Sequence, residues 1–166
     1  MKKIAQGGLL VAVALVLSLV EKMFPLQAVV PIPGIKLGLA NVVTLFALTL
    51  LGTRAALAIL LCRVTLASIF MGSITGFLFS LFGGLLALLV MRLLLLREGR
   101  WFSLVGVSIG GAAAHNIGQI GAAILTLGTL NVAAYLPLLL VSAIPMGVVT
   151  GLTASAVLNH WKKIRL

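Results

Sequence analysis

The chain has 166 residues, of which 62 % are hydrophobic and only 8 % are charged. A soluble domain carries about 25 % charged residues, and no soluble fold of this length has enough interior to hide so much apolar surface. The composition therefore excludes a soluble protein and predicts an all-α integral membrane protein. The net charge of +10 does not indicate nucleic-acid binding, because the cations are dispersed between long apolar runs and form no basic face.

Six apolar segments follow one another along the chain. A helix needs about 20 residues to cross the hydrocarbon core of a bilayer. The first segment ends in Glu21 and Lys22 without a small-residue cleavage site, so we interpret it as a transmembrane helix and not as a signal peptide. We predict one domain over residues 1–166 with six transmembrane helices, at about residues 4–24, 38–51, 55–70, 74–96, 103–127 and 135–160.

The distribution of cations predicts the orientation of these helices. With the N-terminus inside, nine of the twelve lysines and arginines lie at cytoplasmic ends, and Lys22 and Lys36 lie on the outer side. This bias agrees with the positive-inside rule. Both termini are therefore predicted to be cytoplasmic, in a multi-pass protein of the cell membrane. The proline-rich loop from Pro25 to Lys36 then faces outward and is a candidate lid.

Small residues at intervals of three or four mark faces on which helices approach each other closely. On the fourth and sixth helices we favour internal packing of the stripes Gly72, Gly76, Ser80 and Gly84, and Ala143, Gly147, Gly151 and Ser155. A shorter face of this kind lies near the start of the first helix. Its residues are Ala5, Gly8 and Ala12, and they serve either internal packing or the docking of another membrane subunit.

Arg63 lies in the middle of an apolar segment, whereas Lys22 and Arg92 lie near the ends of theirs. It follows Arg54 by nine positions, which places it about 14 Å from the cytoplasmic end of its helix, near the middle of a bilayer core of about 30 Å. A charge at that depth costs several kcal/mol and is functional by default. We therefore favour a role in a polar cavity, with bonding to free backbone carbonyls as the alternative.

Two further groups of polar residues lie in the apolar segments or beside them, one at a depth like that of Arg63 and one on the outer side. His115, Asn116 and Gln119 fall within one turn of the fifth helix, where they either line a wet pocket or clamp two helices together. Lys36 and Asn41 lie at the outer start of the second helix, whose N-terminal N–H groups favour an anion unless the loop simply caps them. Together with Arg63 they predict an outward-opening site for an amphipathic ligand with an anionic head.

The small number of acidic residues excludes much of enzyme chemistry. Glu21 and Glu98 are the only carboxylate side chains, and the chain has no aspartate. Magnesium-dependent prenyl or phosphoryl transfer needs clustered carboxylates that hold the metal ions. We therefore predict a protein that is not an enzyme and that holds no metal and no cofactor.

Three stretches carry a resemblance to a known bacterial family. They are Pro-Ile-Pro-Gly-Ile-Lys-Leu-Gly-Leu-Ala-Asn at residues 31–41, Arg63 with Gly72 and Ser73, and Gly-Gly-Ala-Ala-Ala-His-Asn-Ile-Gly-Gln at residues 110–119. The chain resembles, over nearly its whole length, the Gx transporter family, which is also labelled heptaprenyl diphosphate synthase component I. Its layout is similar, more distantly, to that of the S components of energy-coupling factor transporters.

The S-component resemblance implies a six-helix bundle with cytoplasmic termini and an outer loop that covers a bound vitamin. It also implies that Ala5, Gly8 and Ala12, which loosely resemble the S-component docking motif, contact a transmembrane coupling subunit. The synthase label implies a different role, in which the chain binds or presents a prenyl substrate. Prenyl synthases of the known catalytic type carry aspartate-rich motifs, and none occurs here.

Three hypotheses follow. The first is a substrate-binding membrane subunit of a small-molecule uptake system, energised by partner ATPases, since the chain itself lacks a P-loop motif. The second is a non-catalytic accessory subunit of isoprenoid or quinone synthesis that binds a polyprenyl diphosphate. The third is an assembly subunit without a ligand, in which Arg63 and His115 bond only to protein groups.

Overall fold

The computed structural model describes residues 2–23, 36–71, 74–99 and 101–164. Within these ranges the chain forms six α-helices and no strand, which confirms the all-α fold. The helices are α1 (Lys2–Lys22), α2 (Asn41–Leu50), α3 (Thr53–Met71), α4 (Ile74–Leu95), α5 (Leu104–Leu127) and α6 (Leu136–Ile164), with a short 3-10 helix (Leu130–Tyr135) before α6. The proposed lid falls almost wholly in residues 24–35, which lie outside the described ranges, as do Gly72 and Ser73.

Four stretches of the described chain are long and apolar enough to cross a membrane. They are Ile4–Glu21, Thr53–Phe70, Ile74–Leu95 and Leu130–Trp161. Helix α5 has 24 residues, about 36 Å at 1.5 Å per residue, but His115, Asn116 and Gln119 interrupt its apolar character. These lengths support a membrane protein. The six-span topology with cytoplasmic termini stays a prediction.

Helix α2 is shorter than the sequence predicts. It begins at Asn41 instead of residue 38 and has 10 residues, which cover about 15 Å, half of a bilayer core. The cause lies before the helix, where Gly38 adopts a positive φ of 83° that is incompatible with a right-handed helix. Leu39 and Ala40 form a turn, and the helix starts where Asn41 N–H donates to the carbonyl of Gly38 at 2.9 Å.

The small-residue stripes of α4 and α6 pack inside the bundle. A Cβ added at Gly147 would lie 2.4 Å from the Cα of Ile109 on α5, and one added at Gly151 would lie 2.8 Å from the Cα of Val105. On α4, a Cβ at Gly84 would lie 2.7 Å from Leu60 of α3. Each of these glycines lets two helices come closer than any larger residue would permit, as internal packing requires.

The face on α1 behaves differently. Ala5, Gly8 and Ala12 are exposed, and a Cβ added at Gly8 would meet no atom within 4 Å. The described chain therefore does not use this face for internal packing. Helix α1 contacts the bundle through the opposite side, where Ala14, Ser18 and Glu21 are buried.

Candidate functional site

The end of α1 and the start of α2 meet at a buried carboxylate. Glu21 lies in the last turn of α1 and is 3 % exposed. Its Oε1 accepts hydrogen bonds from the backbone N–H groups of Gly38 and of Leu39, the latter at 3.2 Å. These two donors precede α2, where the partial positive charge of the helix end adds to their attraction for an anion. The carboxylate thus holds the entry of α2 against the exit of α1.

A second tie fixes the same entry to α5. Gln119 Oε1 accepts from the backbone N–H of Lys36 at 2.8 Å, and Gln119 Nε2 donates to the carbonyl of Lys36, also at 2.8 Å. The carboxamide therefore pairs with both polar groups of one residue, as a neighbouring peptide group would. The ammonium of Lys36 reaches α4, where it donates to Ser80 Oγ at 2.6 Å.

Gly38 is the point at which two polar side chains converge. A Cβ added there would lie 2.8 Å from Nδ2 of Asn41 and 3.0 Å from Cδ2 of His115. Both side chains are 2 % exposed. Among the described residues, the side-chain oxygen and nitrogen of Asn41 have no hydrogen-bond partner. The ring of His115 lies beside the backbone of Gly83, but neither ring nitrogen makes a described hydrogen bond of acceptable geometry.

Arg63 lies in the middle of α3 and faces α4. It is 5 % exposed, and a Cβ added at Gly84 would lie 3.5 Å from its Nη2. Its Nε and Nη2 have no partner in the part of the chain that the structure describes. The neighbouring glycine on α4, Gly83, accommodates the ring of His115 on the other side. Two consecutive glycines thus let Arg63 and His115 approach α4 from two helices.

These residues form one electrostatic unit, which we call the polar cluster: Glu21, Lys36, Asn41, Arg63, Ser80, His115 and Gln119. The positive charges of Lys36 and Arg63 both attract the Glu21 carboxylate. Both charges also interact electrostatically with His115. The described hydrogen bonds of these charges run from backbone N–H groups to Glu21 and from the Lys36 ammonium to Ser80. Apart from Lys36, which is half-buried, every member is at most 5 % exposed. The cluster is therefore enclosed rather than spread along an open cleft.

The family of the chain follows from a match over most of its length. The family model described as heptaprenyl diphosphate synthase component I matches residues 10–157, and this span contains every member of the polar cluster. The chain belongs to the heptaprenyl diphosphate synthase component I family. No curated protein and no solved structure matches the chain.

The description of the heptaprenyl diphosphate synthase component I family names a part of a synthase, and the four long apolar helices support a membrane-associated one. The polar cluster contains a single carboxylate, and the only other acid, Glu98, is exposed after α4. The polar cluster therefore offers groups that bind anions, and it does not offer a set of carboxylates that would hold a metal ion. Arginine and amide N–H groups recognise carboxylate and phosphate oxygens well.

The structure brings together most of the residues that the sequence singled out. Lys36, Asn41, Arg63, His115 and Gln119 meet in the cluster. Asn116 does not join them, because its Nδ2 donates to the carbonyl of Leu139 on α6 at 2.6 Å. That bond is the helix clamp which the sequence left open as an alternative. Glu21 and Ser80 were not among the candidates, although an acid at the end of an apolar run is a signal for the first.

An apolar cavity of about 420 Å³ lies between α1, α2 and α6, outside the cluster. One end of the cavity is lined by Leu17, one turn before Glu21, and by Val42, next to Asn41. The other end is lined by Gln6 and Trp161, near the predicted cytoplasmic ends of α1 and α6. The cavity therefore runs from the neighbourhood of the polar cluster along the first helix. The other lining residues are Leu9, Leu10, Val13, Val43, Phe46, Leu50, Leu51, Thr153, Ala154 and Val157.

Proposed function

We propose that the protein is a non-catalytic, substrate-binding membrane subunit of a small-molecule uptake system. The polar cluster holds the anionic or multiply accepting part of the ligand, and apolar walls hold the remainder. Arg63, Asn41 and His115 are the contacting side chains, and Lys36 and Gln119 position the segment that carries Gly38. The chain supplies recognition, and partner subunits supply energy.

The observation that carries this proposal is a set of buried groups that have no hydrogen-bond partner among the residues that the structure describes. Nε and Nη2 of Arg63 and the amide of Asn41 are these groups, and they lie in one enclosed cluster with the ring of His115. An unpartnered buried polar group costs about 1–3 kcal/mol, and more if it is charged. A protein that only needed to pack its helices gains nothing from several such groups together. A ligand that accepts from them removes the cost.

The proposed partners are a transmembrane coupling subunit and its ATPases. The sequence contains no P-loop, so ATP-driven transport needs them. The exposed face of Ala5, Gly8 and Ala12 on α1 is the proposed contact with the coupling subunit, because small residues permit close helix approach in lipid.

A second candidate function is an accessory subunit that binds a polyprenyl diphosphate and presents it to a soluble synthase. The family description favours this role. The apolar cavity supports it as well, because it begins one helical turn from Glu21 and has room for a hydrocarbon chain. In this case the diphosphate would occupy the polar cluster.

Native mass spectrometry of the gently purified protein tests the proposal, with released small molecules identified. We expect a stoichiometric ligand that is lost in Arg63→Gln. Arg54→Gln is the matched control, because Arg54 is an exposed cation on the same helix, and it should keep the ligand. A vitamin-like ligand and co-purifying ATPase subunits support the uptake role. A prenyl diphosphate and a co-purifying soluble synthase support the second candidate.

The same measurement can reject both functions. If the wild-type protein carries no ligand and Arg63→Gln merely unfolds, Arg63 is structural. The protein would then be an assembly subunit, which was the third hypothesis from the sequence.

A further inference from the structure

The charges of the polar cluster do not balance. Lys36 and Arg63 are the two described cations that act on the carboxylate of Glu21. Glu98 is the only other acid of the chain. It follows Gly84 by 14 positions, about 21 Å along α4 and the turn after it, and it is exposed. No other side chain can supply a second negative charge, so the ionised cluster carries one surplus positive charge.

Glu21 does not use its carboxylate to pair with Arg63. Its Oε1 is held by the backbone N–H groups of Gly38 and Leu39, and Arg63 keeps Nε and Nη2 without described partners. The acid therefore lowers the net charge of the cluster while it leaves the donors of the guanidinium free. Glu21 therefore compensates part of the charge without occupying the hydrogen-bond donors of Arg63.

A net charge enclosed within a membrane bundle is costly, because a low-dielectric surrounding does not solvate it. One negative charge brought by a ligand would neutralise the cluster. The free donors suit a carboxylate, since two nitrogens of Arg63 and the amide of Asn41 can each donate to an oxygen. A diphosphate would instead bring several charges and leave the cluster with a surplus of the opposite sign.

We propose that Glu21 is a specificity-determining residue that sets the charge of the ligand. With Glu21 in place, the polar cluster prefers a ligand with a single negative charge, such as a carboxylate, to a ligand with two or more. This inference rests on the proposed binding function, and it favours the uptake role over the prenyl diphosphate role.

The test compares two probes with the same apolar body. Benzoate carries one negative charge, and phenyl phosphate at pH 8 carries two. Their apparent Kd values are measured from the rise of the thermal unfolding midpoint in nanodiscs of zwitterionic lipid, at constant ionic strength. We expect wild type to bind benzoate more tightly. In Glu21→Gln the surplus becomes two charges, and the ratio of the two Kd values should shift about tenfold or more towards phenyl phosphate.

Two further variants make the result specific. Glu98→Gln removes the same charge from an exposed position and should keep the wild-type ratio. Lys36→Gln removes one positive charge, so that the cluster no longer carries a surplus. It should therefore weaken benzoate binding about tenfold. It keeps the backbone bonds to Gln119, so it remains informative if Glu21→Gln does not fold.

The proposal is overturned if wild type prefers phenyl phosphate, if Glu21→Gln keeps the wild-type ratio, or if neither probe binds. It is also overturned if Glu21→Gln does not fold and Lys36→Gln leaves benzoate binding unchanged. The proposed function fails separately, when no ligand co-purifies with wild type or when the ligand survives Arg63→Gln. If neither probe binds while a co-purified ligand is lost in Arg63→Gln, the binding function stands and the role of Glu21 falls.

Discussion

Two buried asparagines show how the two polar regions of this bundle differ. Asn116 at the α5–α6 interface and Asn41 in the polar cluster are almost equally buried, at 3 % and 2 % exposure. Asn116 donates to the carbonyl of Leu139, whereas the amide of Asn41 has no described partner. The α5–α6 interface is also joined by the bond of 2.7 Å between the hydroxyls of Ser108 and Thr150. Burial alone therefore does not reveal function, and the distinguishing property is whether the buried group is satisfied.

The largest effect should come from the glycine contact that closes the α5–α6 interface. In Gly147→Ala the new methyl group would lie 2.4 Å from the Cα of Ile109, so the helices must separate. We expect a loss of about 3 kcal/mol in the free energy of unfolding. Reversible unfolding in mixed micelles measures it. Gly121→Ala is the control, because its methyl group meets nothing within 4 Å, and equal losses in both variants would refute the close contact.

The next effect concerns the tie between α5 and the entry of α2. Gln119→Ala removes both hydrogen bonds to the backbone of Lys36, and we expect a loss of about 2 kcal/mol. Hydrogen exchange should also become faster at the amides of Lys36, Gly38 and Leu39, which mass spectrometry of peptic fragments resolves. Unchanged exchange at this segment would mean that Glu21 and the bond from Lys36 to Ser80 hold it without Gln119.

The two asparagines provide the direct test of the comparison. Asn116→Ala breaks a buried bond and should cost about 1–2 kcal/mol of stability. Asn41→Ala removes an amide that has no partner in the described ranges, and it should cost less than about 0.5 kcal/mol or stabilise the empty protein. Ligand binding should show the opposite order, with the larger loss in Asn41→Ala. If both substitutions destabilise equally and leave binding intact, the polar cluster is a second structural clamp.

A small change in stability is also expected at Arg63, although its buried charge is costly. Arg63→Met replaces a buried cation with an apolar chain of similar length, and the free energy of unfolding should stay within about 1 kcal/mol of wild type or rise. Ligand binding should be lost at the same time, as expected when a site is maintained at the expense of stability. A loss of 3–5 kcal/mol would instead identify Arg63 as one partner of a structural pair.

The sequence was informative wherever the membrane constrains the chain. Long apolar runs predicted the six helices, because no other element satisfies its own backbone in lipid. The same constraint pointed to Arg63, His115 and Gln119, since polar groups inside such runs need a reason. The small-residue stripes were less decisive. Those of α4 and α6 pack internally, and that of α1 is exposed, although their spacings are alike.

The entry of α2 was not predictable, because it depends on contacts between distant residues. Glu21 captures N–H groups 17 and 18 positions later, and Gln119 holds Lys36 across 83 positions. The sequence shows Glu21 only as an acid at the end of the first apolar segment. The chain returns to it after residue 35, and only the folded arrangement reveals the carboxylate as a member of the cluster.

The bond between Gln119 and Lys36 has a consequence for how this site can diversify. The carboxamide contacts the main chain of residue 36 and is indifferent to the side chain there. A neutral or bulkier residue at position 36 would therefore keep both of these backbone bonds and lose only the side-chain contacts of the lysine, such as the bond to Ser80. Scaffold and selectivity are in this sense separate modules. A library randomised at position 36 alone should yield folded proteins with altered ligand preference, a practical starting point for redirecting the protein to new cargo.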